Sequence, residues 1–82
     1  MKILVTGSAY DGGNINRTYE GDDLKQILRE ISDNHSYGQF DDDEEYEELT
    51  VKEIIKDISE RNGDGCDYIN VSAVEGKVKK II

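Results

Sequence analysis

A chain of 82 residues with a formal net charge of −9, one cysteine and one histidine excludes several kinds of protein at once. A lone cysteine forms no internal disulfide, and with a single histidine it leaves too few ligands for a structural zinc site. No apolar run approaches the roughly 18–20 residues of a membrane span, and Ile3-Leu4-Val5-Thr6 is too short for the core of a signal peptide. We therefore expect a soluble, cytoplasmic protein with one domain over residues 1–82, one modest core and no cofactor.

Ile3 to Thr6 is rich in β-branched residues and ends at Gly7, which predicts a strand. Asp11-Gly12-Gly13 is a turn signal, after which Ile15, Arg17 and Tyr19 alternate with polar residues, so residues 2–20 read as a hairpin. From Asp22 to Asp33, Leu24, Ile27, Leu28 and Ile31 fall at i, i+3, i+4 and i+7, the stripe of an amphipathic helix with Asp22 and Asp23 at its N-terminus. A second helix starts at Thr50. Thr50 and Glu53 have the spacing of a capping box, Leu49 and Ile54 that of a hydrophobic staple, and Asn62-Gly63 is a stop. Cys66 to Ala73 alternates again, and Glu75-Gly76 is expected to turn a last strand over Lys77–Ile82. The order β(β)ααββ predicts a two-layer α+β domain. Its small antiparallel sheet of three or four strands is covered by two helices, which an acidic segment over residues 34–48 connects.

That segment holds most of the charge. Seven of the eight residues from Asp41 to Glu48 are carboxylates. Residues 1–20 and 51–82 each sum to zero, so the whole charge of −9 lies between residues 21 and 48. As a helix the run would carry about one charge per 1.7 Å, close to duplex DNA; extended, it would match the phosphate spacing of one strand. Like charges at helical spacing cost about 0.2–0.5 kcal/mol a pair, a penalty that a cationic partner relieves. Asp41, Asp42, Asp43, Glu44, Glu45, Glu47 and Glu48 are the candidate contacts, with Asp22, Asp23, Glu30 and Asp33 extending the face. Tyr46 and Tyr37 are candidate anchors for an arginine, by stacking and cation–π attraction, whereas Phe40 is expected to pack back on the helices and pin the segment, a role equally open to Tyr46.

Other motifs in the chain point to less. Gly38, Asp41 and Glu44 stand at positions 6, 9 and 12 of a calcium loop begun at Asp33, but His35 and Tyr37 hold positions 3 and 5, where oxygen ligands are needed. Weak divalent-cation binding by the carboxylates is all this leaves. Met1-Lys-Ile-Leu-Val-Thr-Gly7 resembles the opening of the extended short-chain dehydrogenases, a Rossmann family. Ser8, Tyr10 and Asp11 then occupy the stretch where that fingerprint needs its next glycine, and no helix follows. His35 and Cys66 show no nucleophile–base pattern, His35 reading as a helix C-terminal residue and Cys66 as a small buried apolar one. Lys77, Lys79 and Lys80 read as edge-strand lysines that discourage aggregation, and no direct nucleic-acid binding is expected at this charge.

In size, acidity and short α+β build the chain resembles phage-type DNA mimics, such as uracil-DNA glycosylase inhibitors and several anti-CRISPR proteins. That likeness is one of composition and brings no site residues with it. It implies a non-enzymatic, protein-binding inhibitor whose partner is the basic surface of a nucleic-acid-binding protein or nuclease. The alternative expectations are an acidic, antitoxin-like interaction module that does not imitate DNA, and a weak divalent-cation-binding module.

Overall fold

In the structure, a computed structural model describing residues 1–82, the first two runs form β1 (Lys2–Ser8) and β2 (Asn14–Glu20). They pair antiparallel from Lys2 opposite Glu20 to Ser8 opposite Asn14, so Ala9–Gly13 is a five-residue connection closed by Ala9 N–H to Gly13 O at 2.6 Å. Helix α1 (Leu24–His35) is capped by Asp23, whose carboxylate accepts the Lys25 N–H at 2.9 Å. It runs two residues beyond Asp33. The reason is in its stripe: Ile27, Leu28, Ile31, Ser32 and His35 are all buried, so the core-facing row continues past the last aliphatic residue.

The acidic run is not a plain connection. Asp43–Glu48 forms a third, short helix, α2, with the Asp42 side chain accepting the Glu45 N–H at 3.0 Å. Helix α3 (Val51–Arg61) follows with its capping box complete: Thr50 and Glu53 exchange side-chain and backbone hydrogen bonds, both at 3.1 Å. After Asn62 the chain turns into β3 (Tyr68–Ala73). The Asn62 side chain grips the start of that strand, donating to Ile69 O and accepting from Ile69 N–H at 2.8 Å each.

The sheet is antiparallel throughout, in the order β2-β1-β3-β4. Ile3, Val5, Tyr19, Ile69 and Val71 point to one face and meet Ile27, Leu28 and Ile31 of α1 and Ile54 and Ile58 of α3 in a single core. The other face carries Lys2, Thr18 and Asn70 to solvent. Extents of 34 × 33 × 16 Å leave room for one sheet and one helix layer, the two-layer α+β build. No helix is long and apolar enough to cross a membrane.

The expected two-residue turn at Glu75-Gly76 is replaced by a longer connection. Ala73 pairs with Lys79, so Val74–Val78 all lie in the loop, and β4 is only Lys79–Lys80. Beyond it, Ile81 and Ile82 both donate their N–H to Val71 O, at 2.7 and 3.0 Å, two residues opposite one. This is a β-bulge, and with the exposed Lys79 and Lys80 it blunts that edge of the sheet.

Gly7 also finds its explanation here. Its φ is +150°, and a Cβ built on it would stand 2.0 Å from Tyr68 O. The residue permits the close approach of β1 to β3 and takes no part in any phosphate loop.

Candidate interaction surface

Helix α2 is held by its one apolar residue. Tyr46 is 3% exposed; its ring packs edge-on against Phe40 with centroids 5.1 Å apart, and its hydroxyl donates to the carbonyl of Lys25 in α1. Burial, with the nearby carboxylates of Asp23 and Asp33 and against the pull of Arg29, pushes the Tyr46 phenol up to about 12, so it remains a donor at neutral pH. Two cations of α1 complete the mount. Lys25 lies 5.5 Å from the Tyr46 ring centre and donates to Glu47 O at 3.0 Å. Arg29 lies 5.1 Å from the same centre, donates to Phe40 O at 3.0 Å and meets Asp43 at 2.6 Å.

Of the two roles open to Tyr46 from its place among carboxylates, packing on the helices is the one observed, and Tyr46 does not offer an aromatic face to a partner's arginine. Its ring is inside the core and already faces two cations of its own chain. Phe40 is buried beside it, as expected for a residue pinning the segment. Tyr37, by contrast, is 71% exposed.

The predicted carboxylates are all exposed, and α2 distributes them around its axis. Asp43, Glu44, Glu47 and Glu48 line one shallow groove with no other residue. Asp41, Asp42 and Glu45 turn to another side, beside Phe40, Leu49 and Arg61. Asp22, Asp23, Glu30 and Asp33 line a groove along α1, and Asp23 and Glu47 both line a smaller one where α1 and α2 adjoin. Two carboxylates escaped the sequence reading: Glu20 in the α1 groove and Asp57 beside Asp41. Both belong to segments whose charge sums to zero, so only the fold reveals their place. No three carboxylates, histidines or cysteines converge on a point that a metal ion could occupy.

In α2 the like-charged pairs 43/47, 44/47, 44/48 and 45/48 cost about 1–2 kcal/mol together. Burial of Tyr46, the Asp42 cap and the two α1 cations oppose that cost. What results is an ordered helix with five outward carboxylates over six residues, about one charge per 1.8 Å at helical rise.

A second polar cluster joins the far end of α1 to the sheet. His35 Nδ1 is 3.0 Å from Asp67 Oδ2, His35 Nε2 is 3.0 Å from Tyr19 Oη, and Asn34 donates to that same hydroxyl at 3.0 Å. An ionised carboxylate only accepts, so Nδ1 carries a proton, Nε2 accepts from Tyr19 when the ring is neutral, and every hydrogen bond has one direction. The sequence reading placed His35 correctly at the helix end but found no partner for it. The signal was its position, one turn beyond Ile31 on the buried stripe.

Partial burial works to raise the Asp67 carboxyl, but hydrogen bonds from His35 and from the Tyr10 N–H, with the attraction of His35, outweigh it and leave the group below its ordinary value. A carboxyl that ionises more readily in the folded chain binds fewer protons there. Its stabilisation is present above the unfolded value near 3.8 and is lost as pH falls through the folded one. Asp67→Asn is therefore expected to lower the urea midpoint at pH 7, with the gap from wild type closing below about pH 4. A gap of equal size at pH 7 and pH 3 would show that Asp67 contributes nothing through its charge.

Comparison with known protein families, with curated proteins and with solved structures finds no match to this chain.

Proposed function

We propose that the protein is a small, non-enzymatic acidic inhibitor that acts in the cytoplasm by imitating DNA, occupying the basic groove of a nucleic-acid-binding protein or nuclease. The observation that carries this reading is α2: a pinned helix whose five outward residues are all carboxylates, at about the linear charge density of duplex DNA. Asp41, Asp42 and the α1 carboxylates Asp22, Asp23, Glu30 and Asp33 enlarge the charged surface, and Glu20 and Asp57 join it. Such a surface steers a cationic partner from a distance, and its internal repulsion is relieved when lysines or arginines arrive.

One observation favours a second reading. The carboxylates face several sides of α2 and do not follow a single track. An antitoxin-like module that recognises a basic partner without copying DNA geometry would use such a surface equally well.

The test is a pull-down from source-cell lysate with wild type and with a variant carrying Asp42→Asn, Asp43→Asn, Glu44→Gln and Glu45→Gln, followed by competition with duplex DNA. Asparagine keeps the cap at position 42, so the helix survives the change. If each lost pair is worth about 0.7 kcal/mol, affinity for the partner is expected to fall about 100-fold. Displacement of the partner by DNA supports mimicry, whereas a partner held equally by both proteins would remove the acidic run from the interface.

A further inference from the structure

The carboxylate end of the His35 cluster reaches the surface. Ala9, Tyr10, Asp11, Tyr37 and Asp67 line one shallow notch where the β1–β2 connection, the exit of α1 and the entry to β3 meet. Three features set it apart. Tyr10 and Tyr37 are 70% and 71% exposed, two large rings left in water on a protein with few exposed apolar residues. Tyr37 is held there in the left-handed region, φ +58°, the one non-glycine residue of the chain with positive φ, an unfavourable conformation that gains no burial in return. Neither Asp11 nor Asp67 forms an ion pair with any lysine or arginine of the chain.

Asp67 has further capacity. Each of its oxygens accepts one hydrogen bond, from the Tyr10 N–H or from His35, and each has a second lone pair free. Its side chain retains 21% exposure, so those lone pairs can meet an incoming donor. Fixed in orientation from behind by His35, flanked by aromatic rings and without a lysine or arginine of its own, the carboxylate matches a planar cation that stacks and donates two parallel hydrogen bonds. An ammonium is compact and strongly hydrated, and would use the charge without using the rings.

We propose that this notch receives an arginine side chain of the partner protein, its guanidinium against the Tyr10 and Tyr37 rings and hydrogen-bonded to Asp67. The proposal rests on the reading of the protein as a binder of a basic partner, and adds a specific contact at the opposite end of α1 from Asp23. It requires no imitation of DNA.

The test is an NMR titration of the isotopically labelled full chain with N-acetyl-arginine amide, and in parallel with N-acetyl-lysine amide. Saturable shifts at Tyr10, Tyr37 and Asp67 are expected, with arginine binding at least about fivefold more tightly than lysine. Tyr37→Gly removes the ring while relieving the backbone, so it keeps the fold and is expected to abolish saturation. The variant neutralised at Asp42, Asp43, Glu44 and Glu45 is expected to bind the arginine probe at the notch as wild type does. Equal responses to arginine and lysine, undiminished binding by Tyr37→Gly, or shifts confined to residues 41–48 would each overturn the proposal. Because no DNA enters the titration, its failure is distinguishable from failure of the mimicry reading.

Discussion

Gly7→Ala is expected to remove about half of the stability of the domain and to lower its urea midpoint accordingly. The substituted Cβ would lie 2.0 Å from Tyr68 O and 3.0 Å from both Tyr68 C and Ile69 Cα. All three are backbone atoms of the paired strand, so no side chain can swing aside. Relief requires either separating β1 from β3, where Gly7 stands opposite Ile69, or rotating Gly7 away from φ +150°. Backbone strain of this kind costs about 1–3 kcal/mol and overpacking about as much again, so about 2–6 kcal/mol in sum. A domain of this size has about 4–12 kcal/mol in total. Circular dichroism across a urea series measures the loss; a midpoint equal to that of wild type would show that the strands separate freely at this point, against the packing described here.

Tyr46→Ala is the second large effect, and it divides order from charge. The substitution leaves the net charge at −9 and every carboxylate in place. It removes the ring against Phe40, Lys25 and Arg29 and the hydroxyl bonded to Lys25 O. Truncation of a buried aromatic costs about 3–5 kcal/mol. Without that contact α2 retains its like-charge repulsion and loses its main support, so the helix is expected to melt before the sheet, readable as fast amide exchange confined to residues 41–48. Affinity for the basic partner is expected to fall at least about tenfold if the spacing of the charges matters, and to remain unchanged if only their number does. Tyr46→Phe keeps the ring and removes only the hydroxyl, and is expected to retain both helix and binding.

Residues whose structural role depends on near neighbours were legible in the sequence. The α1 stripe, the Asp23 cap and the Thr50–Glu53 box each lie within one helical turn or a short periodic run, and all three formed as read. Roles set by distant partners were not. His35 meets Tyr19 and Asp67, 16 and 32 residues away, and nothing local distinguishes it from a solvated histidine at a helix end. Tyr46 looked like one aromatic among charges, because its partners Lys25 and Arg29 lie in another helix. Gly7 read as the end of a strand, since its requirement comes from the Tyr68 carbonyl, some sixty residues later. The last hairpin was misplaced for a different reason: a glycine marks a turn but not its length, and the register was decided by Ile81 and Ile82 against Val71. Of the surface, the acidic run was visible as composition, whereas the Tyr10–Tyr37 notch draws on three segments that only the sheet brings together.

The position of β1 between β2 and β3 governs the order in which the molecule can assemble. With β2 it forms a local hairpin, an event of about 1–10 μs once both strands exist. With β3 it pairs Ile3 to Ala73 and Ser8 to Tyr68, partners 70 and 60 residues apart, so that contact closes the longest loop in the protein. At about 5–20 residues per second, a ribosome needs several seconds to deliver β3 after the hairpin has emerged. Through that interval Ile3 and Val5 have no strand on their second side, and α1, joined later by α3, is all that can shield them. The acidic segment emerges in the same interval, ahead of β3. Its repulsion discourages contact between neighbouring unfinished chains while the hairpin is still bare.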